Sequence, residues 1–162
     1  MIWVLVVVVG LVLCFGAVLV VGAPYLPTLR PQIGGALELA NLQAGQHLLE
    51  LGCGDGRVLI AAAQRGLRVT GYELNPLLAL VAWLRTRRYG QQVRVVWGDF
   101  WRVQWPPADA VFVFLLDSFM PKLDAKLQDY PYKPFRLVSF AFQIPGKKIA
   151  AQRDGVFLYR YD

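Results

Sequence analysis

The chain has 162 residues, 56% of them apolar, and a formal net charge of +6. That length supports one domain with a real core and excludes two of ordinary size. With two cysteines, Cys14 and Cys53, and a single histidine, His47, neither a disulfide framework nor an all-protein metal site is expected.

Charge and apolarity are segregated, because no charged side chain precedes Arg30. Residues 2–23 form an uncharged run of about 22 residues, which as a helix reaches about 33 Å and is long enough to cross a bilayer. A single membrane span is therefore expected there. Val21-Gly22-Ala23 is compatible with a cleavage site, but no basic residue precedes the apolar run as a secretory signal requires. The basic residues from Arg30 onward place the globular part on the cytoplasmic side of the membrane. The predicted organisation is a transmembrane helix over 2–23, a linker and short helix over 24–46, and a folded domain over 47–162.

Pro24, Pro27 and Pro31 mark a stiff link. Gln32 to Leu42 has the apolar spacing of a short helix, placed to lie across the mouth of a site in the domain. Strand and helix signals then alternate: strand His47 to Leu51, helix Arg57 to Arg65, strand Leu67 to Glu73, helix Pro76 to Tyr89 and strand Gln92 to Gly98. Such alternation predicts a parallel sheet with helices on both faces. Asp109 to Leu116 is a continuous apolar run suited to a central strand, and Phe119 to Gln128 to a helix with Pro121 in its first turn. Phe135 to Phe142 is the next strand. Lys148 to Gln152 and Val156 to Tyr161 read as a closing antiparallel pair around Asp154-Gly155, with no room for a helix before them.

The densest signal is Glu50-Leu51-Gly52-Cys53-Gly54-Asp55-Gly56, at the junction of a strand and a helix. Glycines here let the chain turn tightly and bring bare backbone against a ligand. A nicotinamide-binding turn has a third glycine where this chain has Arg57, and no acid on its strand. The acid at Glu50 suits a cationic ligand, and the spacing resembles the first motif of class I methyltransferases, whose ligand is S-adenosylmethionine. Glu73 lies 21 positions after Gly52, the distance at which a βαβ unit places an acid to accept ribose hydroxyls. It is followed by Leu74 and Asn75. Asp99 ends the third strand, as an acceptor for an adenine amino group or as a turn aspartate, and Phe100 or Trp101 would cover the ring. The candidate cofactor residues are thus Glu50, Gly52, Cys53, Gly54, Asp55, Gly56, Glu73, Leu74, Asn75, Asp99 and Phe100.

In-line methyl transfer needs alignment and exclusion of water more than acid-base groups. Asp117, at the end of the fourth strand, is the candidate catalytic residue, orienting an incoming amine; its other reading is a helix N-cap. Phe119 and Tyr130 to Tyr132 are candidates for the acceptor entrance.

Pro24-Tyr25-Leu26-Pro27-Thr28, Gly52 to Arg57 with Ala61-Ala62-Ala63, and Gly71 to Pro76 together resemble the small membrane-associated lysine methyltransferases that act on the ATP-synthase c-subunit and the adenine nucleotide translocase. The resemblance implies a trimmed, Rossmann-like class I α/β fold, with a mostly parallel twisted sheet whose last strands are antiparallel. It also implies methyl transfer from S-adenosylmethionine, leaving S-adenosylhomocysteine, to lysines of a membrane-embedded protein. Glu50, Gly52, Gly54, Glu73 and Asp99 match its cofactor positions. Neither a metal nor a nucleic acid is expected as a partner. Two other readings stand beside it, a methyltransferase for small molecules or lipids and a non-catalytic membrane adaptor.

Overall fold

The computed structural model describes residues 1–6, 9, 28 and 30–162. The expected span over residues 2–23 therefore lies largely outside the described residues. No helix among the described residues is long and apolar enough to cross a membrane.

From Arg30 onward the described residues form, in chain order, α1 (Arg30–Ala40), β1 (His47–Leu51), α2 (Arg57–Gln64), β2 (Arg68–Glu73), α3 (Pro76–Thr86), β3 (Val93–Trp97), β4 (Ala110–Val113), α4 (Met120–Gln128), β5 (Phe135–Phe140), β6 (Ala151–Arg153) and β7 (Val156–Tyr161). Short 3-10 turns occupy Arg87–Gln92 and Asp117–Phe119. The strands form one sheet in the order β3-β2-β1-β4-β5-β7-β6. All pairings from β3 to β5 are parallel, and β7 runs antiparallel to both β5 and β6. The order of strands reverses between β1 and β4, with β2 and β3 on one side and β5 on the other, which opens a crevice at their carboxyl ends where ligands bind in such sheets. This is the expected mixed α/β architecture, and among the described residues no helix intervenes between β5 and β6.

Because side chains alternate along a strand, the sheet buries two different layers. Leu48, Val69, Phe112 and Val138 face α1, α2 and α3, packing against Ile33, Leu37, Leu59 and Ala82. Leu49, Leu51, Val111 and Leu137 face α4, packing against Met120, Leu123 and Leu127. Among the described residues the α4 face has one helix, and aromatic side chains complete it: Trp105, Tyr130, Phe135 and Tyr161. Phe135 stacks on Tyr161 at 4.8 Å and meets Tyr130 edge-on at 5.0 Å.

Several element ends differ from expectation. Pro31 belongs to the first turn of α1, where its missing N–H costs nothing, rather than to the linker. α1 lies against α2, β5, β6 and β7 instead of across the site. α3 ends at Thr86, whose hydroxyl donates to Ala82 O at 2.7 Å, and Gly90 breaks the following turn with φ 54°. β4 stops at Val113, short of the apolar run that extends to Leu116, and β6 begins at Ala151 rather than Lys148. The closing hairpin turns at Asp154-Gly155, both at positive φ, as a two-residue loop between right-twisted strands demands.

At Gly71 in β2 the absence of a side chain is a packing requirement. A Cβ built there meets Cys53 Cβ at 2.8 Å, Cys53 Sγ at 2.9 Å and Leu59 Cδ1 at 2.9 Å. Gly71→Ala is therefore expected to destabilise the domain by about 1–3 kcal/mol, a fall in melting temperature of about 2–12 °C. Thermal unfolding followed by circular dichroism measures it, and an unchanged midpoint contradicts the close approach.

Candidate functional site

β1 carries the glycine turn directly from its last buried residues. Gly52, Gly54 and Gly56 all have positive φ, at 82°, 54° and 79°, so the three predicted glycines adopt the conformation that explains them. Gly52 and Cys53 both donate to Tyr72 O at 2.9 Å, which pins the turn to the end of β2. At Gly52 a Cβ would meet no atom within 4 Å, so the backbone there borders open space.

Glu50 and Glu73 end β1 and β2 on the same sheet face, the one covered by three helices. Glu73 is 7% exposed and ties the site together: Oε2 accepts Gly54 N–H and Oε1 accepts Asn75 N–H, each at 2.8 Å. Asn75 in turn caps α3, its Oδ1 accepting from Leu77 N and Leu78 N at 2.9 and 3.3 Å. One carboxylate thus couples the glycine turn to the start of the next helix. Burial raises the Glu73 carboxyl, while the donated Asn75 and Gly54 N–H groups pull the other way.

Glu50 is 4% exposed, and its Oε2 has no hydrogen-bond partner. Burial pushes its carboxyl well above the ordinary value, and the carboxylates of Glu73 and Asp55 add to the rise. A buried acid without a partner costs stability, and a cation held beside it would recover that cost. Asp55 differs. Its carboxylate accepts from Arg57 Nε at 2.9 Å and from Arg57 Nη2 at 3.0 Å, and it also pairs with Arg85 Nη1. Burial opposes ionisation at Asp55, but the two guanidinium groups hold its pKa below the usual value. Arg85 donates as well to Asp55 O at 2.9 Å, so α3 grips the turn from outside. The two acids of the turn differ, Asp55 fixing its shape through Arg57 and Arg85 while Glu50 is buried with an unpaired oxygen.

The other predicted residues divide similarly. Cys53 is buried against Gly71, and burial together with Glu50 raises its thiol. Leu74 is half-buried, and its carbonyl accepts Trp97 Nε1 at 3.1 Å. Asp99 takes its turn role: Oδ1 accepts Trp101 N–H at 2.9 Å and Oδ2 pairs with Arg102 at 3.2 Å. Phe100 is buried in the α4-side core, its ring 4.7 Å from that of the half-buried Trp101. Asp117 is exposed in the turn after β4, and its side chain caps neither that turn nor α4. The expected N-cap therefore does not occur, because Leu116 and Phe119 occupy the cap positions.

Tyr130 is not at this end of the molecule. α4 carries the chain about 13 Å back along the sheet, and Tyr130 OH donates to Pro106 O at 2.5 Å, before β4 begins. Phe119 stays near the carboxyl ends, 6.1 Å from Trp101. Phe114 and Phe140, which follow β4 and end β5, pack at 4.6 Å; nothing in the apolar runs containing them marked them out. His47 sits at the far, amino end of β1, its ring nitrogens at 2.5 Å from Pro107 O and 2.9 Å from Thr70 Oγ1, and burial lowers its pKa.

The sequence profile of the ANTKMT methyltransferase domain matches residues 50–151, from the unpartnered acid to the start of β6. The chain belongs to that methyltransferase family. It is 33% identical over 124 residues to the ATP-synthase c-subunit lysine N-methyltransferase of Xenopus laevis, covering 75% of this chain and 54% of that protein. It spans about half the length of the vertebrate relatives it matches. A protein-lysine N-methyltransferase of Saccharolobus islandicus is 32% identical over 148 residues, covering 84% of this chain and 92% of its own length. The crystal structure of an RNA methyltransferase from Salinibacter ruber with S-adenosylhomocysteine superposes with a TM-score of 0.75 at 30% identity, covering 84% and 92% of the two chains. S-adenosylmethionine is accordingly the cofactor, and the residues present fit it: an unpartnered buried carboxylate for a cation, open backbone at Gly52 and an acid at the tip of β2.

Proposed function

We propose that this chain methylates lysine side chains of a membrane-embedded protein. The observation that carries the cofactor half of this reading is Glu50, a buried carboxylate oxygen with no partner at the end of β1. When bound, S-adenosylmethionine supplies a methyl group on a sulfonium and an ammonium to satisfy that acid. Glu73 keeps lone pairs free beyond its two N–H bonds and accepts ribose hydroxyls. The glycine turn offers bare backbone, and Asp99 with Phe100 and Trp101 borders the adenine side.

On the acceptor side, the paired rings of Phe114 and Phe140 form an apolar wall, and Asp117, exposed in the turn after β4, holds a lysine amine and takes up its proton. The lysine acceptor is supported by the activities for which the Xenopus and Saccharolobus relatives are named. The membrane setting is supported by the uncharged run over residues 2–23, which we read as a single span with residues 24–46 as its link and residues 47–162 as the methyltransferase domain on the cytoplasmic side. Tethering raises the effective concentration of domain and membrane-embedded substrate to about millimolar for short linkers. The Salinibacter relative favours a second reading, an RNA acceptor.

The test incubates the full chain with methyl-labelled S-adenosylmethionine and, separately, membranes and total RNA. Label in a protein band, released as methylated lysine on hydrolysis and absent with Glu73→Ala, is the expected result. Label in RNA or in the lipid phase instead overturns the lysine assignment. Asp117→Asn is expected to lower kcat by about 10²-fold or more, the scale of one general-base contribution, with cofactor affinity unchanged.

A further inference from the structure

α3 has an outer face that the fold leaves uncovered. Leu77, Leu80, Val81 and Leu84 share that face at helical spacing and are 37–51% exposed, and Trp83 beside them is 52% exposed. Trp97, 68% exposed on edge strand β3, extends the band to the start of the helix, since its indole bonds Leu74 O just before α3. Only Ala79, Ala82 and Thr86 of this helix are buried, so α3 is held to the domain by its small residues and turns its large ones outward. That inverts the usual arrangement for a helix on a sheet, whose large apolar residues face the core.

The charge around the band is one-sided. From Asn75 to Gly98 the chain has Arg85, Arg87, Arg88 and Arg94 and no acidic residue. Arg85 is engaged with Asp55, Arg87 and Arg88 at the helix end are exposed, and Arg94 alternates onto the face of β3 opposite Trp97. An apolar helical face with two tryptophans and a flanking arginine cluster is the pattern of a helix lying in the plane of an anionic bilayer, and at 11 residues α3 is too short to cross one. A protein partner suited to these arginines would need matching acids, whereas a bilayer satisfies apolar band and cations together.

We propose that α3 and Trp97 form a second membrane contact, which seats the domain on an anionic lipid surface independently of residues 2–23. α3 begins three residues after Glu73 and its Arg85 grips Asp55. Seating this helix therefore brings the glycine turn and the crevice beside it to the level of the headgroups, where a membrane-embedded acceptor emerges. The contact does not depend on the methyl acceptor or on catalysis.

The test uses the full chain with Trp3→Phe, reconstituted in vesicles of one part phosphatidylglycerol to two parts phosphatidylcholine with brominated acyl chains. Bromine quenching of the remaining tryptophans is expected, and it should disappear when Trp83 and Trp97 are changed to Phe, leaving Trp101 and Trp105 unquenched. Arg87→Gln with Arg88→Gln is expected to reduce the docked population about 25-fold, about fivefold per arginine. Quenching that survives loss of Trp83 and Trp97, absence of quenching with the fold intact by circular dichroism, or equal quenching in pure phosphatidylcholine overturns the proposal. A face reserved for a protein partner would give the second of these results. Methyl transfer is not read, so failure of the acceptor assignment stays distinguishable.

Discussion

Replacing Glu73 with alanine is expected to abolish measurable methyl transfer and to weaken S-adenosylmethionine binding by about 10²-fold or more. Two ribose hydroxyl bonds to a carboxylate are worth roughly 1.5–3 kcal/mol each, and every 1.4 kcal/mol is about tenfold in affinity. A second effect adds to the first. Alanine leaves Gly54 N–H and Asn75 N–H without the acceptors they meet at 2.8 Å, at about 1–3 kcal/mol for each buried donor. The glycine turn and the start of α3 lose their common anchor, so melting temperature falls together with affinity. Glu73→Gln gives an intermediate loss of both, because the amide oxygen still accepts one N–H and one hydroxyl while the NH2 group faces the other N–H as a second donor. Calorimetric titration with S-adenosylhomocysteine, beside thermal unfolding, measures both. Unaltered affinity in Glu73→Ala contradicts the assignment.

Glu50→Gln is expected to act in opposite directions on the free and the liganded protein. In the free protein the Glu50 pKa is raised by burial and by Glu73 and Asp55. Between the ordinary carboxylate value and this raised one, the native state binds a proton that the unfolded state has released. Stability from this group is therefore full below the ordinary value and is lost as pH rises toward the raised one. Glu50→Gln removes that loss, so the free protein becomes more stable near neutral pH and its stability varies less with pH. With a cation bound, the ionised carboxylate is favoured. Binding then releases a proton, and affinity rises with pH by up to about tenfold per unit across the same interval. The glutamine variant should lose that pH dependence and bind about 10 to 150-fold more weakly, the value of one charge-assisted hydrogen bond. Titration calorimetry in two buffers of different ionisation enthalpy counts the proton. Equal affinity of both proteins at all pH values would sink the role.

Both experiments concern residues visible in the sequence, because β1 and β2 obey local rules. His47–Leu51 is a short apolar strand ending in a glycine turn, and its bounds are those expected. The hairpin β6–β7 follows from Asp154-Gly155, and the N-cap Asn75 with Pro76 starts α3 where predicted. Local signals fail where the partner is distant in sequence. Arg85 sits at a helix end, where a cation is favourable in any case, and nothing local says that it reaches back 30 positions to Asp55. The apolar run to Leu116 continues past β4, since Leu115 is buried against α4 rather than in the sheet. Hydrophobic patterning reports burial without saying which layer supplies it.

Residue order alone was enough to establish the succession of strands and helices, the glycine turn, the two strand-tip acids and the identity of the methyl donor. The glycine turn and both acids lie within one βαβ unit, where spacing dictates geometry. Three-dimensional packing was needed to show which acid of the turn has no partner, that Tyr130 lies at the opposite end of the sheet from the glycine turn, and that α3 presents its large apolar residues outward. Those outcomes depend on which surfaces meet across the sheet. Leu77, Leu80 and Leu84 carry the periodicity of a core helix, and the packing of Ala82 and Thr86 against Gly56, with Ala79 also buried, decided that they face outward.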